Sequence, residues 1–281
     1  MFARLIRYVE RWFRPKLVAA PVGGIANRMQ GIDACWLLAQ EFNLPFEVLW
    51  VHEWALDAPF ERLFQPLPGR GRVREVPSFE AWKELTENNE KTHFLDHRFI
   101  AQFFPDATPK DWKQIIDGAR RQSKSLTIFA WQRFKQKKQG MSVFKPNSEV
   151  SDLMKPFVEH CASAIGVHVR RTDHAISHNN SSTSEFFQRI DKLPKDSKIF
   201  LATDDPVEEE AFLERYGDRV LWYPKRSRDR DSIEGVQDGV VDLFLLSRTQ
   251  RILGSYGSTF SRTAGFLGAK KVEFVKESEA K

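Results

Sequence analysis

Two arginines and an aspartate follow directly on an apolar run in Ala164-Ile165-Gly166-Val167-His168-Val169-Arg170-Arg171-Thr172-Asp173. The run is short and rich in β-branched residues, as expected of a strand buried in a parallel sheet, and His168 is its one polar side chain. Ligands of open α/β sheets sit outside the carboxyl ends of the strands, so Arg170 and Arg171 stand where a ligand would arrive. A guanidinium is a planar fork of donors that keeps its charge near neutral pH and matches phosphate oxygens bidentately. A diphosphate suits such a pair. The plain alternative is an internal ion pair, with Asp173 neutralising one arginine.

Further segments carry compatible chemistry. Leu17-Val18-Ala19-Ala20 reads as a strand, Pro21-Val22-Gly23-Gly24 breaks it, and a helical pattern runs from about Ala26 to Phe42, with Asn27 and Arg28 at its start. Paired glycines let backbone approach a ligand, and the first amides of a helix attract anions. The turn matches neither G-x-G-x-x-G nor G-x-x-x-x-G-K-[ST], which removes support from the two commonest phosphate-binding classes. Ser258 and Thr259 open another helix after the strand Ile252-Leu253-Gly254, as a second phosphate cradle or as ordinary caps. Asp204 and Asp205 follow the strand Lys198 to Ala202. Asp242 is wrapped in Val240-Val241-Asp242-Leu243-Phe244-Leu245-Leu246 and needs a donor, which guanine N1 and N2 or a nearby arginine would supply.

The elements that must position these residues alternate strand and helix. In the first half, strands are expected at 46–51, 73–76, 92–95 and 126–131, a short helix or turn at 59–64, and a helix at 108–121 opened by Thr108 before Pro109. The basic stretch 135–147, broken by Gly140 and Pro146, is where the two domains are expected to connect, giving domains 1–145 and 146–281. In the second half, helices are expected at 149–161, 184–190, 207–216, 236–248 and from Ser258 to about 267, with strands at 164–169, 198–202, 220–222 and 252–254. Loops after such parallel strands gather on one edge, which would make neighbours of 170–173, 203–205 and 255–259.

The chain of 281 residues is 41% apolar and 12% aromatic, enough for packed cores. Its net charge of +5 is scattered over basic clusters without interleaved aromatics, so a nucleic-acid function is not expected. Cys35 and Cys161 lie far apart within helical patterns and read as core thiols. No cluster has metal-ligand spacing, and no metal cofactor is expected. The lack of a spanning or signal-type hydrophobic stretch points to the cytoplasm. Residues 1–14 form a basic amphipathic pattern that either packs on the body or a partner, or makes a peripheral contact with an anionic membrane face.

Taken together and in order, Gly23-Gly24-Ile25-Ala26-Asn27-Arg28, His168-Val169-Arg170-Arg171-Thr172-Asp173, Ala202-Thr203-Asp204-Asp205, Asp242 to Ser247 and Ser255-Tyr256-Gly257-Ser258 resemble the fucosyltransferase superfamily that uses GDP-fucose, particularly the α1,6-fucosyltransferases and nodulation-type enzymes. That resemblance implies an α/β fold of GT-B type, two Rossmann-like domains facing a cleft. It also implies an N-terminal domain on the acceptor side, GDP-fucose as donor held mainly by the C-terminal domain, and inverting, metal-independent transfer to a saccharide hydroxyl. By resemblance, Arg170 meets the β-phosphate and His168 and Asp242 the guanine, while Gly24, Asn27, Ser258 and Thr259 form the phosphate loops. Asp204 and Asp205 match a structural or donor-positioning acid pair. After the arginines the α1,6 pattern has lysine and then glutamate where this chain has His174 and His178, so the general base does not carry over. His174 and His178 have ordinary chemistry for taking an alcohol proton at neutral pH, with Glu185 and Asp33 as carboxylate reserves. The alternatives are another nucleotide-sugar donor on the same fold, or a noncatalytic nucleotide-sugar or glycan-binding protein.

Overall fold

A computed structural model describes residues 15–69, 71–96, 109–134, 141–172 and 180–276. The expected amphipathic helix at 1–14, Thr108, and the site candidates Asp173, His174 and His178 lie outside the described residues. The chain divides into two compact units, Met1–Glu61 with Gln65–Lys138, and Arg62–Phe64 with Gln139–Lys281. Arg62–Phe64 join the second unit because their partners are there. Phe64 packs on Phe144 and Phe244, Leu63 O accepts from Asn147 N at 3.1 Å, and Arg62 O accepts from Gln237 Nε2 at 2.9 Å.

The first unit holds strands β1 (Leu17–Ala19), β2 (Phe46–Val51), β3 (Arg72–Val76), β4 (Thr92–Asp96) and β5 (Ser125–Phe129), all parallel, in the order β3-β2-β1-β5-β4. Its helices are α1 (Ile25–Glu41), α2 (Phe79–Leu85) and α3 (Pro109–Arg121). Leu49, Val51 and Val76 pack with Trp82 of α2 and Phe129 of β5. The two-turn helix α2 was not legible as a separate element, being only seven residues long. It exists because Ser78 caps it, accepting from Ala81 N at 3.2 Å, and because Trp82 is buried.

The second unit also holds a five-stranded parallel sheet, but its fourth strand lies inside and its fifth at the edge, where the first sheet has the fifth inside and the fourth at the edge. Strands β6 (Ile165–Val169), β7 (Ile199–Thr203), β8 (Val220–Trp222), β9 (Ile252–Ser255) and β10 (Val272–Val275) form a parallel sheet in the order β10-β9-β6-β7-β8. Its helices are α4 (Ser148–Met154), α5 (Val158–Ala162), α6 (Thr183–Ile190), α7 (Pro206–Tyr216), α8 (Ile233–Arg248) and α9 (Thr259–Gly268). The single helix expected over 149–161 is two, because Pro156 between them has no N–H to continue the ladder. Edge strand β10 has a mostly half-buried pattern that lacks the apolar run of an inner strand. Every residue of β6 and β7 is buried, in keeping with their predominantly apolar sequences, and His168 is buried with them.

In each unit the chain winds outward from one strand, then returns to its other side. The order therefore reverses between β1 and β5 in the first sheet, and between β6 and β9 in the second. Crevices at such reversals are where doubly wound sheets bind ligands. The expected α/β, GT-B class is observed as these two Rossmann-like units. Among the described residues no helix is long and apolar enough to cross a membrane.

Candidate active site

Arg170 leaves β6 at the reversal of the second sheet, and the loop that leaves β9 on the other side of that reversal meets it. The Arg170 amide donates to Ser255 Oγ at 2.9 Å, and that hydroxyl in turn donates to His168 O at 3.3 Å. From the loop after β7, Asp204 Oδ2 pairs with Arg170 Nη1 at 2.7 Å and accepts from Thr172 Oγ1 at 2.7 Å, while Oδ1 accepts from the Arg171 amide at 2.9 Å. One carboxylate thus fixes three consecutive residues. Burial works to raise the Asp204 carboxyl, but Arg170, Thr172, the Arg171 amide and His168 outweigh it and hold it below the ordinary carboxylate range. The Arg170 side chain keeps 18% of its surface in water. Asp204 is thus a partner of Arg170, and Asp173, the carboxylate nearby in sequence, lies outside the described residues.

Arg171 does a different job. Its Nε donates to Glu208 Oε1 at 2.7 Å and its Nη2 to Thr183 Oγ1 at 3.2 Å, and Thr183 Oγ1 donates to the same Glu208 oxygen at 2.6 Å. This buried knot ties the β6 loop to the starts of α6 and α7. Asp205 caps α7, accepting from Val207 N at 2.8 Å, with Pro206 in the first turn. Glu185 lies half-buried in the first turn of α6.

His168 is buried at the β6 end, stacked on Phe260 with centroids 4.6 Å apart and planes 20° from parallel. Its Nδ1 lies 2.8 Å from Ser261 Oγ and 3.4 Å from Ser258 Oγ. Ser258 also caps α9, accepting from Ser261 N at 3.4 Å, and Thr259 begins the helix. The start of α9 thus meets His168 through Ser258 and Ser261, and the end of β9 meets Arg170 through Ser255, so that a helix start with its donors and positive potential stands at the same strand ends.

Asp242 lies mid-helix in α8, 3% exposed, with Lys225 Nζ 2.9 Å from its Oδ2. Among the described residues its Oδ1 finds no hydrogen-bond partner. Burial pushes this carboxyl up to about 6 against the pull of Lys225. Its cation is thus a lysine from the loop after β8 and not an arginine. That loop is itself set by Asp238, fully buried, which accepts from Tyr223 Oη at 2.9 Å, from Arg226 Nη2 at 2.7 Å and from the amides of Arg226 and Ser227.

In the first unit, Gly23 has φ +81°, a conformation that favours glycine, while Gly24 has φ −68°, and a Cβ there would meet nothing within 4 Å. Neither strain nor packing within the chain demands a glycine at 24. Gly24 caps α1, accepting from Asn27 N at 3.0 Å. Arg28 is fully buried and braces the turn. Its Nε donates to Gly23 O at 2.7 Å, Nη1 to Val51 O at 2.6 Å and Nη2 to Glu53 Oε1 at 3.0 Å, and the guanidinium lies 4.8 Å over Trp50. Burial brings the guanidinium down to about 10 despite Glu53. Glu53 Oε1 also accepts from Gly23 N at 2.5 Å. Asp33 is buried 2.6 Å from Arg133, and burial raises its carboxyl. That placement gives it a role in the fold. Cys35 and Cys161 are buried free thiols, both raised by burial, Cys161 to about 12.

The expected meeting of 170–173 with 255–259 is observed in the Arg170–Ser255 hydrogen bond. Sequence reasoning missed Ser261, Phe260, Thr183, Glu208, Lys225 and Glu53 as partners. Ser261 stands just beyond the serine-rich segment 255–259, and that proximity was the signal available. The others carry no local pattern.

No protein-family model and no curated protein matches the chain. Solved structures do. NodZ α-1,6-fucosyltransferase soaked with GDP-fucose matches with TM-score 0.58 and 20% identity over 90% of this chain and 92% of its own. POFUT1 in complex with GDP-fucose matches with TM-score 0.55 and 13% identity over 93% and 98%. Arabidopsis thaliana FUT1 bearing R284K, in complex with GDP, matches with TM-score 0.53 and 14% identity over 94% and 71%. The chain has the fold of these fucosyltransferases. Among the described residues, no group of three His, Cys, Asp or Glu side chains could hold a metal ion.

Proposed function

We propose that the chain is a fucosyltransferase that moves fucose from GDP-fucose to a saccharide hydroxyl, with inversion and without a divalent metal. The observation that carries this reading is the Arg170 guanidinium held by Asp204 at the strand-order reversal, beside the Ser258-capped start of α9. The structural neighbours hold GDP or GDP-fucose on the same fold, which supports a diphosphate as the guest.

In this reading Arg170 and the α9 amides meet the charge that builds on the β-phosphate as its bond to the sugar lengthens, so that the protein supplies the electrophilic assistance. Ser258 and Thr259 line the phosphate loop, and Asp204 positions Arg170. His168 and Asp242 face the base, with Asp242 Oδ1 the acceptor for a guanine N–H. Gly23, Gly24 and Asn27 form a close-approach ligand turn in the first unit, positioned by Arg28 and by Glu53, which holds the Gly23 amide. An acceptor hydroxyl loses its proton to His174, His178 or Glu185. The cytoplasm is the proposed compartment, supported by the free thiols Cys35 and Cys161; peripheral contact through residues 1–14 belongs to the same proposal.

Donor hydrolysis tests the reading. With EDTA present, GDP-fucose should turn over faster than GDP-mannose and UDP-sugars. Preference for a UDP-sugar, or strict dependence on Mg²⁺, would replace it.

A further inference from the structure

Trp54 is 78% exposed, although Val51, Ala55, Leu56 and Ala58 around it in sequence are all buried. The backbone presents it. Glu53 and Leu56 exchange hydrogen bonds of 3.2 Å and 2.9 Å, closing a tight turn with Trp54 and Ala55 at its tip. The base of this turn is fixed by Trp50 Nε1, which donates to Ala58 O at 2.8 Å, and by His52 N, which donates to Val76 O at 2.9 Å. The turn follows β2 directly, at the carboxyl edge of the first sheet, the edge on which parallel sheets receive ligands.

Glu53 and Asp57 stand one residue before and three residues after Trp54, and the positions of their carboxylates are set. His52 Nδ1 lies 2.7 Å from Asp57 Oδ1 and its Nε2 lies 2.9 Å from Glu75 Oε2, while Glu75 Oε1 accepts from Phe60 N at 3.0 Å. Glu53 Oε1 is engaged by Gly23 and Arg28. Asp57 Oδ2 and Glu53 Oε2 take no hydrogen bond among the described residues, and the Asp57 side chain is 52% exposed. An apolar plate beside fixed acceptors suits a pyranose, whose C–H face stacks on indole while its hydroxyls donate to carboxylates. Three acidic residues disfavour an anionic lipid, nucleic acid or phosphate. A cationic peptide fits less well, because the Arg28 charge is already set against Glu53 and the His52 ring occupies one oxygen of Asp57 and one of Glu75.

We propose that Trp54 is the stacking platform of a neutral-saccharide subsite, with Asp57 Oδ2 and Glu53 Oε2 accepting hydrogen bonds from sugar hydroxyls. This deepens the transferase reading by assigning an acceptor contact to the first unit, and it rests on that reading for its purpose.

The full chain, its Trp54→Ala, Trp54→Phe and Asp57→Asn variants, and an array of neutral, sialylated and sulfated oligosaccharides provide the test, with a polyarginine peptide and phosphatidylserine vesicles as further probes. Neutral oligosaccharides should bind, Trp54→Ala should weaken them at least tenfold, Trp54→Phe should keep most of the affinity, and GDP affinity should be the same in all four proteins. The proposal falls if no neutral oligosaccharide binds, if Trp54→Ala binds as the wild type does, or if only polyarginine or vesicles depend on Trp54. Saccharide binding that needs Trp54 in a protein with no affinity for GDP would sustain this proposal while overturning the donor reading.

Discussion

Arg170 and Arg171 are adjacent in sequence and opposite in use. Arg171→Ala leaves Glu208 and Thr183 without their cation in a buried knot, and breaking a buried pair of this kind costs about 3 to 5 kcal/mol. Urea unfolding of Arg171→Ala should show that loss, whereas Arg170→Ala, at a partly exposed position, should lose far less. Equal stability losses would mean that both arginines serve the fold. The sequence marked both as candidates because two charges followed an apolar run. It could not divide the roles, since Glu208 lies 37 residues away and no periodic pattern announces it. Asp242 was legible as a buried carboxylate, but its cation comes from a loop 17 residues earlier. Its raised value has a pH consequence. The folded state holds the proton to about pH 6 while the unfolded chain releases it near 3.8, so this group costs stability progressively as pH rises through that window, by about 3 kcal/mol in all. Asp242→Asn should remove this slope, seen as a change in the difference between urea midpoints at pH 4.5 and pH 7. A difference identical to that of the wild type would contradict the raised value.

At the level of elements, the strand-helix alternation was readable wherever strands are buried on both faces, as in β6 and β7, because such strands are predominantly apolar runs. Where a strand is half-buried, as in β10, or a helix lasts two turns, as in α2, the pattern is too short to stand out. The helix expected over 149–161 failed because apolar spacing continues across Pro156 although the hydrogen-bond ladder does not. The glycine turn between β1 and α1 was legible as a turn, and its two members make separate predictions. Gly23→Ala forces a side chain into φ +81° and should cost about 1 to 2 kcal/mol. Gly24→Ala meets no strain and no neighbour, so its melting temperature should hold or rise slightly. Reduced turnover in Gly24→Ala at unchanged stability would mark close approach of a ligand. Unchanged turnover would make the second glycine incidental.

Over the whole molecule, each unit carries a five-stranded parallel sheet with one reversal of strand order, and the second unit places Arg170, Asp204, Ser255 and Ser258 around its own reversal. The gathering of these loops could be foreseen from parallel alternation alone, but the strand order that makes a crevice between β6 and β9 could not, because pairing between distant strands leaves no mark in local sequence. The catalytic base is the proposal furthest from the described geometry. Transfer rates against pH for His174→Gln, His178→Gln and Glu185→Gln, each at saturating GDP-fucose and with unchanged GDP affinity, should show one variant that loses turnover, and a histidine base should also remove an acidic limb at roughly pH 6 to 7. Full turnover in all three would leave the proton to another group.

The central claim is that the Arg170 guanidinium meets the diphosphate of GDP. Calorimetric titration of GDP into the wild type and Arg170→Ala, in EDTA, measures it most directly. GDP should bind the wild type without metal, and Arg170→Ala should weaken it by about 1.5 to 3 kcal/mol, tenfold to over a hundredfold, in a protein that remains folded. Equal GDP affinity in the two proteins, or no binding until Mg²⁺ is added, would contradict the account.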